Sequence, residues 1–289
     1  MTRIFLFLGT NFAVVLVLGF VLNLLGLNQQ GSGSTPFLIM AAVFGMGGAF
    51  VSLLLSKKMA LRSTGAQIIE TPASELEKWL IDTVHAQAEK AGIGNPDVAI
   101  FRSDAPNAFA TGANKNDALV AVSTGLLANM TKDEVEAVLG HEVSHIANGD
   151  MVTLTLIQGV VNTFVMVFAS IVASMLTRGD GGRGRGMGYY FAYSIAQAFF
   201  GFLASIIVMW FSRYREFRAD EGGASLSSTP KMIAALQRLQ STQAAELPAS
   251  MAAFGISAGG IKQGLKHLLT THPPLSDRIA ALEARLSAG

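Results

Sequence analysis

Residues 138–161 read VLGHEVSHIANGDMVTLTLIQGVV. The first half sets two histidines four positions apart, with a glutamate beside the first. The second half opens a stretch, Met151 to Thr177, without a single charge. On a helix, His141 and His145 share one face. Two imidazoles so placed can bind one Zn²⁺ at about 2.0–2.1 Å, and Glu142 can face the open coordination position to take a proton from water. The flanking AVLGHEVSHIANG is half apolar, where two histidines without partners would be costly, so a metal site is favoured over a polar helix turn. The uncharged stretch is long enough to cross the hydrocarbon of a bilayer. A site for hydrolysis thus abuts a membrane span.

Composition agrees with a membrane protein. The 289 residues are 51% hydrophobic and 14% charged, with a mean hydropathy of +0.43. Soluble domains carry about a quarter charged residues. A net charge of +1 gives no argument for nucleic acid. The absence of cysteine excludes a disulfide scaffold and any thiolate metal site, leaving histidine and carboxylate as ligands for a transition metal.

Four spans are expected: residues 4–27, 36–55, 151–177 and 189–211. The first is too long and continuous for a cleaved signal peptide and is read as retained. NQQGSGSTP links the first two, and the Gly/Arg-rich RGDGGRGRGMG, residues 178–188, links the last two. The alternative for the last two is a buried helical hairpin in a large core. An even number of spans leaves residues 57–150 and 212–289 on one face. Arg3, Lys57, Lys58, Arg62, Arg213, Arg215 and Arg218 flank the spans there, against Arg178, Arg183 and Arg185 opposite. That asymmetry makes both large segments cytoplasmic and puts the 178–188 loop on the opposite side, which is periplasmic if the membrane is a bacterial inner membrane.

The polar segments mix helix and strand. Ser74 and Glu77 cap a helix in ELEKWLIDTVHAQAEKAG, and Thr131 and Glu134 repeat the pattern ahead of the histidines. DVAIFRS and DALVAVSTG read as strands, with a short extended piece in APNAFATGANKN between them. The expected fold class is therefore α+β, mainly α: a polytopic membrane protein with a zincin-like cytoplasmic domain and a small sheet.

A zinc hydrolase needs a third protein ligand. The motif is followed by no further nearby histidine, so a carboxylate is the economical choice. Glu216, in SRYREFRADEGG, is the best candidate, and Asp220 one helical turn on can accept the N–H of a ligating histidine. His145 lies six residues before Met151 and Glu216 five after Phe211, about 9 and 7 Å along helices. Glu221 would stand about 15 Å out. These heights match if the helix of the histidines runs unbroken through Asp150 into the third span. The alternative for Glu216 is a salt bridge to Arg213 or a neighbour.

HEVSHIANGDM, SRYREFRAD, NAFATG and THPPLSDR together resemble the HtpX-type membrane-bound zinc metalloproteases, a heat-shock family related to the CAAX prenyl proteases. The similarity covers nearly the whole chain. It implies an endopeptidase of the bacterial inner membrane, with one Zn²⁺ per chain, acting on the cytoplasmic side in membrane-protein quality control and stress. His141, His145 and Glu216 are then the ligands and Glu142 the base. The resemblance also implies transition-state roles for His272 and Arg278; the alternative is a helix entrance at HPPLSDR, with Arg278 paired to Asp277 or Glu283. Asn107, Ala108 and Phe109 become a strand edge to which substrate main chain can add, or else a hairpin strand with a core phenylalanine. The implied partners are membrane-protein substrates, lipid and other quality-control proteases, without nucleic acid.

Other functions leave different marks. A zinc-binding scaffold or chaperone would bind metal and clients without turnover. A transporter usually needs Asp, Glu, Lys, Arg or His within its spans, and these spans hold none of them. Intramembrane proteolysis would need ligands inside the apolar runs, whereas they lie just outside.

Overall fold

The computed structural model describes residues 19–20, 23, 35–177, 186–246 and 272–288. The expected first span, residues 4–27, lies outside them save for three positions, as do residues 178–185 of the Gly/Arg loop. In chain order the elements are α1 (Thr35–Thr64), β1 (Gln67–Ile68), α2 (Glu75–Lys90), β2 (Asp97–Phe101), β3 (Ala108–Asn114), β4 (Asp117–Ser123), α3 (Thr124–Asn129), α4 (Lys132–Asn148), α5 (Asp150–Leu176), α6 (Met187–Leu226), α7 (Thr229–Glu246) and α8 (Leu275–Ala288). The chain divides into two compact units, Met1–Ser52 with Thr153–Val208, and Leu53–Val152 with Met209–Gly289.

The first unit is helical. Among the described residues, α1, α5 and α6 are long and apolar enough to cross a membrane. Phe37, Leu38 and Ala41 of α1 pack on Val167 of α5. Small residues let the backbones approach: a Cβ on Gly45 would lie 2.6 Å from Thr163 Oγ1, and one on Gly159 would lie 3.2 Å from Met46 Cα. Tyr189 OH and Ser170 Oγ, 2.8 Å apart, join α6 to α5. Phe44, Phe191, Phe199 and Ile207 are exposed, as a lipid-facing surface requires.

Two helices outrun their apolar stretches. α1 continues past Lys57, Lys58 and Arg62, and α6 continues past Arg213 to Leu226. The expectation of an unbroken helix from the histidines through Asp150 is not met. Gly149 sits in the left-handed region (φ 65°, ψ 37°) and ends α4, and α5 starts afresh at Asp150. Glycine adopts this conformation without a Cβ clash, and its N–H caps the carbonyls of His145 and Ile146.

The second unit holds a four-stranded sheet in the order β1-β2-β4-β3. β2 and β4 run parallel; both outer pairings are antiparallel. β3 is longer than the short piece expected, and β1 had no clear signal in its two residues. β4 is buried from Ala118 to Ser123, because both its faces are covered. Its alternation sends Ala118, Val120 and Val122 into the main core with Leu80, Val84, Leu126 and Leu139. Leu119 and Ala121 face the other way, onto Ala99, Phe101 and Leu61. Fully buried leucines such as Leu80 and Leu139 each stabilise the fold by roughly 1.5–3 kcal/mol. Lys57 ties the end of α1 to the sheet through Asp97 at 2.9 Å and Asp117 at 2.5 Å.

Candidate metal centre

α4 starts at a reciprocal cap: Glu134 N donates to Thr131 Oγ1 at 3.3 Å, and Thr131 N donates to Glu134 Oε2 at 2.7 Å. From Val135 to Ile146 the helix is nearly all buried, packed on α2, β3 and α7. A helix enclosed on all sides holds its side chains in fixed rotamers. His141, Glu142 and His145 are thereby buried yet adjacent to one another.

α6 crosses α4 at glycines. A Cβ on Gly222 would collide with Ser144 Oγ, one on Gly223 would lie 2.8 Å from His141 N, and one on Gly140 would lie 3.1 Å from Gly223 O. The EGG that follows Asp220 therefore lets the two backbones touch. Within the two turns before this contact, α6 delivers Glu216 and Asp220 to the histidines.

The three donors form a triangle. His141 Nε2 is 3.1 Å from His145 Nε2, Glu216 Oε2 is 3.6 Å from His141 Nε2, and Glu216 Oε1 is 3.4 Å from His145 Nε2. Two atoms each about 2.05 Å from a tetrahedral centre lie about 3.3 Å apart. The other ring nitrogens face carboxylates: His141 Nδ1 is 2.9 Å from Asp220 Oδ1, and His145 Nδ1 is 2.7 Å from Asp150 Oδ2. With both Nδ1–H groups donating outward, the two Nε2 lone pairs converge, an arrangement that a shared cation relieves. Glu216 is 1% exposed, and among the described residues neither of its oxygens receives a well-directed hydrogen bond. A buried carboxylate in that state fits a metal ligand. These residues suit a divalent cation, and the donor set of two imidazoles and one carboxylate suits zinc.

The carboxylates also set the charge of the rings. Burial opposes the imidazolium of His141, but the carboxylates of Asp220 and then Glu216 outweigh it and raise the metal-free group from 6.5 to about 9. His145 is shifted upward likewise, with burial opposed by Asp150 and Glu216. Glu142 acts electrostatically on both His145 and Arg278.

The other residues singled out in the sequence fall in different places. Arg278 is buried and grips Asp220, with Nε 2.7 Å from Oδ2 and Nη2 2.5 Å from Oδ1; its Nη1 is 3.5 Å from Glu216 Oε2. It pairs with neither Asp277 nor Glu283. His272 is largely exposed, and its Nδ1 is 2.9 Å from Glu216 Oε2. Ala108 and Phe109 start the edge strand β3, and Asn107 just precedes it, donating from N to Ser123 Oγ and accepting from Ser123 N. The Phe109 ring packs on Phe101 at 5.6 Å. Glu216 makes no salt bridge with Arg213 among the described residues; Arg215 Nε approaches it to 3.8 Å.

Sequence reasoning passed over Asp150 as a partner of the site. Its signal was the NGD at 148–150: a glycine stop just after His145, followed at once by a carboxylate.

The peptidase family M48 model matches residues 74–286. The curated protease HtpX of Xanthomonas campestris pv. campestris is 56% identical over 287 residues, covering 98% of this chain and 97% of that one. The protease HtpX of Idiomarina loihiensis is 57% identical over 290 residues, covering 99% and 100%. Among solved structures, the crystal structure of S. mikatae Ste24p superposes with a TM-score of 0.62 at 16% identity, covering 96% of this chain and 66% of that one. That likeness is one of fold.

Proposed function

The chain belongs to peptidase family M48, and from that premise we propose that this membrane metalloprotease uses zinc to hydrolyse misfolded or damaged membrane proteins on the cytoplasmic side of a bacterial inner membrane, as part of a stress response. The observation that carries the reading is the His141–His145–Glu216 triangle with Glu142 beside it. His141, His145 and Glu216 hold the metal, and Asp220 and Asp150 keep both imidazoles in the tautomer whose Nε2 is free to bind. Zinc supplies Lewis acidity, which lowers the pKa of water toward about 7 and polarises the scissile carbonyl. Glu142 takes the proton from the attacking water and delivers it to the leaving amine. His272, exposed and at the Glu216 carboxylate, donates to the developing oxyanion.

Substrate main chain adds to β3. Asn107 is hydrogen-bonded to Ser123 of β4, so by strand alternation the N–H and C=O of Ala108 point outward from the sheet. Backbone pairing of this kind tolerates many side chains, which suits a protease of damaged proteins. Phe109 supports that edge from within, through Phe101.

The test uses detergent-purified parent, Glu142→Gln and Glu216→Ala proteins, with metal analysis and mass spectrometry of cleavage products. The expected result is one zinc per chain and no new peptide ends for Glu142→Gln, and lost zinc for Glu216→Ala. Zinc-loaded parent that binds unfolded protein but generates no new peptide ends would make the chain a scaffold instead. Cleavage by Glu142→Gln at the parent rate would remove the assigned base.

A further inference from the structure

Arg215 is enclosed beside the metal centre, and its one ion-pair partner among the described residues is the adjacent Glu216. Its side chain is 12% exposed, and Nε and Nη1 are buried with no hydrogen-bond acceptor among the described residues. Glu216 Oε1 is 3.8 Å from Nε, beyond hydrogen-bond range. Buried guanidinium donors left unmet are expensive, and where native proteins keep them an acceptor arriving from outside is a physical reason. Arg278 makes the contrast. Its Nε and Nη2 are both committed to Asp220.

The two arginines stand on opposite flanks of Glu216. Oε2 faces His141 at 3.6 Å, His272 at 2.9 Å and Arg278 at 3.5 Å. Oε1 faces His145 at 3.4 Å and Arg215 at 3.8 Å. A peptide held with its scissile carbonyl between these groups passes both flanks, and each neighbouring residue brings a carbonyl oxygen. We propose that Arg215 is a substrate-binding residue, whose guanidinium donates to a main-chain carbonyl oxygen of the peptide on the His145 side of the metal centre. The inference rests on the protease reading above. A planar donor fork aimed at backbone oxygen adds affinity without side-chain preference.

The test compares Arg215→Ala and Arg215→Lys with the parent in the zinc-loaded, detergent-purified full chain. Turnover is read on fluorescently labelled casein, zinc affinity by chelator competition, and folding by thermal unfolding. A labelled unfolded peptide is also titrated into Glu142→Gln protein with and without Arg215→Ala. The expected result is a roughly 10- to 100-fold loss of kcat/KM in Arg215→Ala, carried mainly by KM. Partial recovery in Arg215→Lys, weaker peptide binding in the Glu142→Gln background and unchanged zinc affinity should accompany it. Zinc affinity falling in step with activity would make Arg215 a support for Glu216 and overturn the inference, as would unchanged peptide binding. If Arg215→Ala fails to fold, Arg215→Lys and Arg215→Gln decide by the same two readouts. Absence of casein cleavage by the parent would count against the protease reading alone, since the peptide-binding arm still judges Arg215.

Discussion

Asp150 Oδ2 lies 2.7 Å from Nδ1 of His145, five residues earlier, and the left-handed Gly149 between them makes the approach. In a continuous helix residues five apart point in different directions. Ending α4 at Gly149 turns the first residue of α5 back toward the ring, and Asp150 is 1% exposed there. The membrane helix α5 therefore begins with a carboxylate that orients a metal ligand.

Replacing Asp150 by Asn leaves its volume but removes the charge that favours the Nδ1–H tautomer of His145. Zinc affinity measured by chelator competition should fall about 10- to 100-fold. An affinity equal to the parent's would show that His145 needs no such partner.

The α4–α6 crossing predicts a rescue. Gly222→Val drives a side chain into Ser144 and should cost about 1–3 kcal/mol of stability by overpacking. Zinc should be lost as Glu216 is pushed away. Ser144→Gly in the same chain makes room and should restore part of both, read by thermal unfolding and metal content. Two losses that simply add would mean that the helices do not clash at that point.

Arg278 and Asp220 form a buried charged pair with fork geometry. Breaking it from one side leaves the other charge uncompensated, at about 3–5 kcal/mol. Arg278→Ala should therefore unfold at lower denaturant concentration than parent. Arg278→Lys should recover little, because an ammonium cannot make both bonds. A lysine variant as stable as parent would contradict the bidentate role.

Acidity should compete with metal. His141 is raised from 6.5 to about 9 in the metal-free protein, so its contribution to stability is complete below about 6.5 and is lost as pH rises through about 9. Metal needs the neutral ring, so apparent zinc affinity should rise with pH across that window, by up to about tenfold per unit for each proton displaced. The thermal midpoint of chelator-treated protein should decline over the same range. Zinc affinity that is flat from pH 6.5 to 9 would show that no proton leaves His141 on binding.

What could be read along the chain was whatever depends on neighbours in sequence. The spacing of His141 and His145 on one helix face, the Thr131–Glu134 cap and the apolar stretches inside α1, α5 and α6 follow from local periodicity. Glu216 was reached by elimination among ligand types, and the fold brings it to 3.6 and 3.4 Å of the two histidines. Tertiary structure decided the rest. Gly149 could have been tolerated in a longer helix, and only its left-handed conformation gives Asp150 to His145. Gly222 and Gly223 read as weak helix formers until α4 is laid against them. The two arginines near Glu216 look alike in sequence, yet packing commits Arg278 to Asp220 and leaves Nε and Nη1 of Arg215 without a hydrogen bond among the described residues. Helical period and hydropathy are properties of a short segment. Whether Arg278 finds Asp220, 58 residues away, and whether Glu216 finds the two histidines, is decided only when the core closes.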